Sequence, residues 1–197
     1  MAVVAPTDPT RLAPQRFTDG GGAMAGGVLA LDLATNTGWA LGRLPLRPLL
    51  PIEARVQKPP QPMSGWVRFG APGCSVGAFA DAAETWGRAF LTEHQPTGMI
   101  IEKPILPQET NPDTVLKLNG LAAVFLMLAH RFNIRWVRNA QPSTVKKSFC
   151  GRGGPGKEGV QAECLARGWR FATDDEADAL ALLDYAGHLA AKERAAA

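Results

Sequence analysis

The chain predicts an α/β fold in which a central mixed β-sheet is flanked by helices, and three observations carry that prediction. Two short apolar runs end in an acid, "LALD" at 29–32 and "MIIE" at 99–102, as strands do when they are buried along their length and open at one end. Longer stretches of helical period separate the later runs, whereas the first is followed after a short polar loop by a second strand, "TGWALG". Finally, 197 residues with 46% apolar content suffice for one well-buried core.

Taken in order, residues 1–26 are rich in Pro, Ala, Gly and Thr without periodicity and read as a disordered leader. Met24 stands directly before the first strand and is a second candidate start. Segment 27–42, "GVLALDLATNTGWALG", reads as strand, tight turn, strand. Segment 43–65 carries six prolines and is expected to be an irregular insertion. "WVRFG" suits a short third strand. Val76, Phe79, Ala83, Trp86 and Phe90 have helical spacing within 76–95. "GMIIEKP" is a buried strand that Pro104 stops. Asn111, Pro112 and Asp113 open a helix whose apolar positions nearly encircle it, which predicts burial between the sheet and a further partner, such as a second subunit. "IRWV" is a strand, "PSTVKKSFCG" a helix with Ser143 as its expected N-cap, "KEGVQAECLARG" another helix, and "DEADALALLDYAGHLAAKERA" the last.

The net charge of +3 is mild, but its distribution is uneven. From Arg131 to Lys157 there are seven basic residues and no acid; from Phe171 to Tyr185 there are five acids and no base. A basic tract followed by an acidic cluster suits a polyanion held beside a metal site. Cys74, Cys150 and Cys164 are odd in number and lack C-x-x-C spacing, which points to reduced thiols in a cytoplasmic protein. His94, His130 and His188 are scattered and are expected as surface or helix-face residues, not as ligands. The apolar run "LAAVFLMLAH" is too short to span a bilayer, and no basic start precedes an apolar run as in a signal peptide. A membrane partner is not expected.

The stretch "ATDDEADALALLDYA" at 172–186 poses the functional question. Asp175 and Asp178 lie one helical turn apart on one face, and two such carboxylates repel unless a cation or a proton sits between them. Acids at a helix start are also ordinary capping and dipole partners, with Thr173 or Asp174 as the N-cap. Asp32 and Glu102 tip the balance, because each ends a strand. If those strands are neighbours and the last helix crosses them, four carboxylates meet. Oxygen ligands without His or Cys select a hard ion such as Mg²⁺ or Mn²⁺. Two ions ~4 Å apart would serve in-line phosphodiester cleavage.

These blocks resemble the RuvC-type Holliday junction resolvases of the RNase H-like superfamily. "LALDLATNTGWAL" is similar to the family's first-strand motif, "IIEKP" to the block holding its second acid, and "VKKSFCGRGGPGKEGV" to its basic block. "DDEADALALLDYA" is similar to the terminal Asp-x-x-Asp-Ala-Leu-Ala motif, and "LKLNGLAAV" to the helix that packs on a partner subunit. The resemblance covers about residues 28–190 and implies an RNase H-like nuclease domain over 27–193, with 43–65 as an insertion. It implies a homodimeric crossover junction endodeoxyribonuclease that uses Mg²⁺ or Mn²⁺, two ions per site, on Holliday junctions or other branched DNA in recombination, repair or phage DNA processing. Position by position, Asp32, Glu102, Asp175 and Asp178 become metal ligands, and Asp174 falls out of register. Lys146 and Lys157 become catalytic lysines at the scissile phosphate, with Lys147 and Arg152 as further DNA contacts.

The chain also departs from that pattern. Leu-Ala-Thr-Asn follows Asp32 where the family has Pro-Gly-Ser-Arg and one more residue, and Ile105 stands where better-known members place a wedging aromatic. Trp136, Phe149 and Trp169 are the remaining candidates for stacking on bases. These differences suit a divergent, phage-type relative that cuts several branched DNAs. Three other readings compete. Actin-like kinases share a loop like "LDLATNTGWAL" but need two lobes around a cleft, and a terminal Asp-x-x-Asp helix has no place there. A catalytically silent DNA-binding module and an RNase H-like nuclease for another nucleic acid keep the same residues.

Overall fold

The computed structural model describes residues 27–44, 49–104, 111–151 and 156–196. Five strands and six helices follow one another as β1 (Val28–Asp32), β2 (Asn36–Gly42), α1 (Pro51–Gln57), β3 (Met63–Arg68), α2 (Val76–His94), β4 (Gly98–Glu102), α3 (Pro112–Arg131), β5 (Trp136–Ala140), α4 (Pro142–Cys150), α5 (Gly156–Ala166) and α6 (Asp174–Ala196). The sheet order is β3-β2-β1-β4-β5. β1 pairs antiparallel with β2 and parallel with β4, and β4 pairs parallel with β5. The sheet is mixed, as the sequence predicts, because a tight turn joins β1 to β2 while helices return the chain to β4 and β5.

Strand alternation divides the interior into two cores. Leu29, Leu31, Met99 and Ile101 point to one face, where they meet Phe79, Phe90, Phe125 and Leu128 of α2 and α3. Val28, Ala30 and Ile100 point to the other, where α4, α5 and α6 bring Val145, Phe149, Cys164, Leu180 and Leu183. The period of two then fixes where the strand-end acids go. Asp32 shares its face with Val28 and Ala30, and Glu102 shares its face with Ile100. Both acids therefore leave the sheet on the side that α6 covers.

Several elements differ from expectation. Segment 43–65 is not irregular throughout: it contains α1, and β3 begins within it at Met63. Its prolines delimit structure instead of preventing it. Pro51 occupies the first helical position, where its missing N–H costs nothing, and Pro59 and Pro60 lie just beyond the helix end. The N-cap of α4 is Gln141, with Pro142 at the first turn, so Ser143 lies inside the helix and is no cap. Helix α3 buries one stripe, Leu121, Phe125, Leu128 and Ala129, and leaves Leu116 58% and Leu126 41% exposed. It is long and apolar enough to cross a membrane by composition alone, which the shorter run "LAAVFLMLAH" did not suggest. No disulfide joins Cys74, Cys150 and Cys164, and burial pushes the Cys164 thiol up to about 12. The leader at 1–26, Ile105 and Arg152 lie outside the described residues.

Candidate active site

The site is built where β1 and β4 end. Leu31 is in register with Ile101 on parallel neighbours, so the next residues, Asp32 and Glu102, stand side by side about one strand spacing (~4.8 Å) apart at the backbone. On the other flank Asp32 pairs with Gly38 of β2. Helix α6 lies directly over that point. A methyl group at Gly38 would stand 1.8 Å from the Asp175 carbonyl oxygen, so only glycine lets the first turn of α6 sit on the hairpin. The close approach brings Asp175 and Asp178 within electrostatic reach of Asp32.

The electrostatics show the crowding. Burial, then Asp178 and Asp175, push the Asp32 carboxyl up to about 7, against the pull of Lys146 and Lys157. Burial, then Asp32 and Asp178, push Glu102 up to about 8. Asp175 and Asp178 are also raised, each first by burial. Among the described residues Glu102 Oε2 is buried without a hydrogen-bond partner. A buried carboxyl oxygen left unpaired beside further acids is costly unless a proton or a cation joins it.

Two lysines face the acids. Lys146, on the turn of α4 next to buried Val145, donates to Asp178 Oδ2 at 3.4 Å. Lys157, in the first turn of α5, donates to Asp174 Oδ2 at 3.2 Å, and Gln161 donates to the other oxygen of Asp174. Asp174 is thus turned toward α5 and away from Asp32. The N-cap left open between Thr173 and Asp174 falls to Thr173, whose hydroxyl accepts from the Glu176 amide at 3.2 Å. With the cap satisfied by Thr173, the acids of the first turn are not needed for capping.

The four expected ligands and both expected lysines therefore gather at one end of the sheet. Lys147 is exposed on α4. The side chains do not converge into a closed metal cluster: among the described residues, no three of His, Cys, Asp and Glu are arranged to hold an ion as they stand. The donor set still fits a hard divalent cation, since it offers only oxygens, one of them unpaired, in a pocket of mutual repulsion. Phe149 and Trp169 are 0% and 4% exposed and belong to the core, so neither is a stacking platform. The Arg167 guanidinium lies beside both, 4.1 and 5.4 Å from their ring centroids. Trp136 is half-buried at the opposite end of the sheet, its indole donating to Glu193 at 2.9 Å.

Sequence reasoning missed a buried ionic network behind the site. Arg167 donates to Glu163 at 3.0 Å, to Asp184 at 2.6 Å and to the Phe149 carbonyl at 3.1 Å. It ties together the three helices that carry Lys146, Lys157 and the acid pair. Arg55 of α1 pairs with Glu163 from outside. Only the Glu163–Arg167 pair, four residues apart, follows a helical spacing rule; Asp184 and the Phe149 carbonyl lie on separate helices.

No protein-family model matches the chain. Crossover junction endodeoxyribonuclease RuvC of Rhodospirillum rubrum is 36% identical over 96 residues, 48% of this chain and 55% of that protein. The match thus spans about half the length of that curated relative. The structure of RuvC from Thermus thermophilus covers 83% of this chain and 95% of that one, with 18% identity and a TM-score of 0.65. T. thermophilus RuvC in complex with a Holliday junction substrate gives 17% identity, a TM-score of 0.67, and coverage of 85% and 96%. The yeast mitochondrial Holliday junction resolvase Ydc2 gives 13% identity, a TM-score of 0.58, and coverage of 89% and 84%. The fold is that of these proteins, an RNase H-like α/β fold, and over 96 residues the chain is similar in sequence to a crossover junction endodeoxyribonuclease RuvC.

Proposed function

We propose that the chain is a divalent-metal-dependent endodeoxyribonuclease that cuts phosphodiester bonds in Holliday junctions or other branched DNA. One observation carries the reading: strand-end Asp32 and Glu102 emerge on the face covered by α6, whose N-terminal end brings Asp175 and Asp178 to them, and the group is held in mutual repulsion. The likeness to RuvC proteins in sequence and fold supports it. Asp32, Glu102, Asp175 and Asp178 would hold Mg²⁺ or Mn²⁺. Bound there, two such ions would activate water and neutralise charge on the phosphate. Lys146, poised over Asp178, would exchange that contact for the scissile phosphate. Lys157 would do likewise from its exposed pair with Asp174, a contact of the kind worth ~0–1 kcal/mol and easily traded. Lys147 and Arg152 would add sequence-independent phosphate contacts.

Two strands cut in symmetry call for two sites, so the active form would be a homodimer. The exposed Leu116 and Leu126 of α3 supply apolar surface for it. The domain would run over 27–193 and act in the cytoplasm on DNA recombination and repair intermediates or on phage DNA. The products would carry a 5′-phosphate and a 3′-hydroxyl.

The Lys146–Asp178 ion pair favours one alternative, a module that binds branched DNA with a lysine in place of metal. Incubating the protein with four-way, hybrid and linear substrates, with and without Mg²⁺, separates the two. Nicking of the branched substrate that needs Mg²⁺ supports the nuclease. A shifted but intact junction at every Mg²⁺ concentration supports the binder.

A further inference from the structure

Glu176 sits between the two acids of α6, and nothing in the proposed chemistry uses it. It is 6% exposed, and both carboxyl oxygens are engaged. Oε1 accepts from the Ser64 hydroxyl at 2.8 Å and Oε2 from the Ala172 amide at 2.7 Å. Its own amide donates to the Thr173 hydroxyl at 3.2 Å. Each Glu176 oxygen is thus held by a protein donor away from the acid pair, and its reach to Ser64 goes beyond what a helix cap requires.

The location gives those bonds their consequence. The first turn of a helix has no internal partners for its amides and is the part most prone to fray or rotate. Asp175 is in that turn and Asp178 opens the next one on the same face; successive residues are displaced by 100° around the axis, so a small rotation of this end of the helix swings both away from Asp32. Ser64 lies on β3 in register with Ala40, a residue of the α6-facing core. Ser64 thus points at α6 from the sheet, on the same face as Asp32. The Ala172 bond fixes where the turn starts; the Ser64 bond fixes its rotation against the sheet.

We propose that Glu176 is a positioning residue for the acid pair: its tether to Ser64 and Ala172 sets the rotation of the N-terminal end of α6 that faces Asp175 and Asp178 toward Asp32. The inference rests on the metal-dependent reading above, and it assigns a role to the end of the Pro-rich segment that supplies Ser64.

The test is Mn²⁺ binding to the full chain without DNA, followed by titration calorimetry. Glu176→Ala is expected to weaken Mn²⁺ affinity about tenfold or more, the scale on which partners behind a metal ligand act. Ser64→Ala, which removes only the tie to the sheet, should weaken it less. Glu176→Gln keeps an acceptor for Ala172 and a donor for Ser64 and should restore affinity to within about twofold. Leu128→Ala, in the opposite core, supplies a variant of lowered thermal stability whose Mn²⁺ affinity should not change. Metal-free binding of a four-way junction should be equal in all of them. Wild-type protein that takes up Mn²⁺ while Glu176→Ala binds it as tightly overturns the tether alone, as does a Gln variant as weak as the Ala variant. A loss in Leu128→Ala equal to that in Glu176→Ala also overturns it, by reducing the effect to stability. Wild-type protein that takes up no Mn²⁺ overturns the metal reading and the tether with it.

Discussion

Both faces of the sheet carry an apolar core, but they differ in what is built into it. Against α2 and α3, Trp39, Phe69, Phe79, Trp86, Phe90 and Phe125 form a connected aromatic cluster, with Phe69 meeting the Phe79, Trp86 and Phe125 rings at centroid distances of 5.8–6.2 Å. Against α4, α5 and α6, the interior holds Arg167, Glu163 and Glu176 almost wholly buried, and Lys146, Asp178 and Asp184 partly so. Buried apolar surface stabilises without direction, whereas buried charge stabilises little but fixes geometry when every partner is present. The aromatic face can thus carry stability, and the charged face can spend some of it on placing acids beside one another.

The largest effect expected from that division is on the charged face. Asp32→Asn, Glu102→Gln or Asp178→Asn should each abolish cutting of branched DNA and spare its binding, read by a cleavage gel and a mobility shift. Without metal, Asp32→Asn should also raise thermal stability, because it removes a repelled acid. Full activity in any of the three removes that residue from the site.

On the aromatic face, Phe125→Ala should cost about 3–5 kcal/mol in denaturant unfolding through the cavity it leaves. The folded fraction should bind Mn²⁺ as before. Arg167→Met sharpens the contrast, since it sits on the charged face but touches no expected ligand. It takes the 2.6 Å partner from Asp184, leaves buried Glu163 with Arg55 alone, and should destabilise by about 3–5 kcal/mol. Unlike Phe125→Ala, it should also weaken cleavage in the folded fraction, because α4, α5 and α6 lose their common anchor.

A smaller effect comes from pH. The Asp32 and Glu102 carboxyls move from ordinary values of 3.8 and 4.5 up to about 7 and about 8 in the folded chain. The folded state then holds more protons than the unfolded one between those limits. Stability contributed by the protonated pair is complete below about 4 and is lost as pH rises through about 7 to 8. Thermal melts of metal-free protein should fall across that window, and Mg²⁺ should reverse the fall at its upper end. A flat profile would mean the two acids are not buried together. Smallest of all, Lys157→Ala should reduce the salt slope of DNA binding by about one and weaken cleavage less than Lys146→Ala does.

Much of this was legible in the sequence, for reasons that differ by residue. Asp32 and Glu102 could be found because each ends an apolar run, and alternation alone puts both on one face. Asp175 and Asp178 could be found because their spacing equals a helical turn. The partition of the acids in that turn could not be read, since Asp174, Asp175 and Glu176 look alike until the neighbours of each are known. Glu176 had a signal that was passed over, the Thr-x-x-Glu spacing from Thr173 that marks a capping box. Helix α1 was obscured by the five prolines around it, although Pro51 before a Glu three residues on from Leu50 suits a helix start. Arg167 showed only its i,i+4 spacing from Glu163, an ordinary surface pattern, because its burial follows from partners on two other helices. Gly38 was visible as part of a Thr-Gly-aromatic run, but its reason, the 1.8 Å approach of the Asp175 carbonyl, belongs to packing.

The central claim is that acids from β1, β4 and α6 form one cation site on the charged face. Crystals soaked in Mn²⁺ and measured at the manganese absorption edge test it most directly. The account predicts anomalous density between Asp32, Glu102, Asp175 and Asp178, with the Lys146 ammonium displaced from Asp178. Density confined to other surfaces, or an unmoved Lys146 ion pair with no manganese beside Asp32 at saturating concentration, would contradict it.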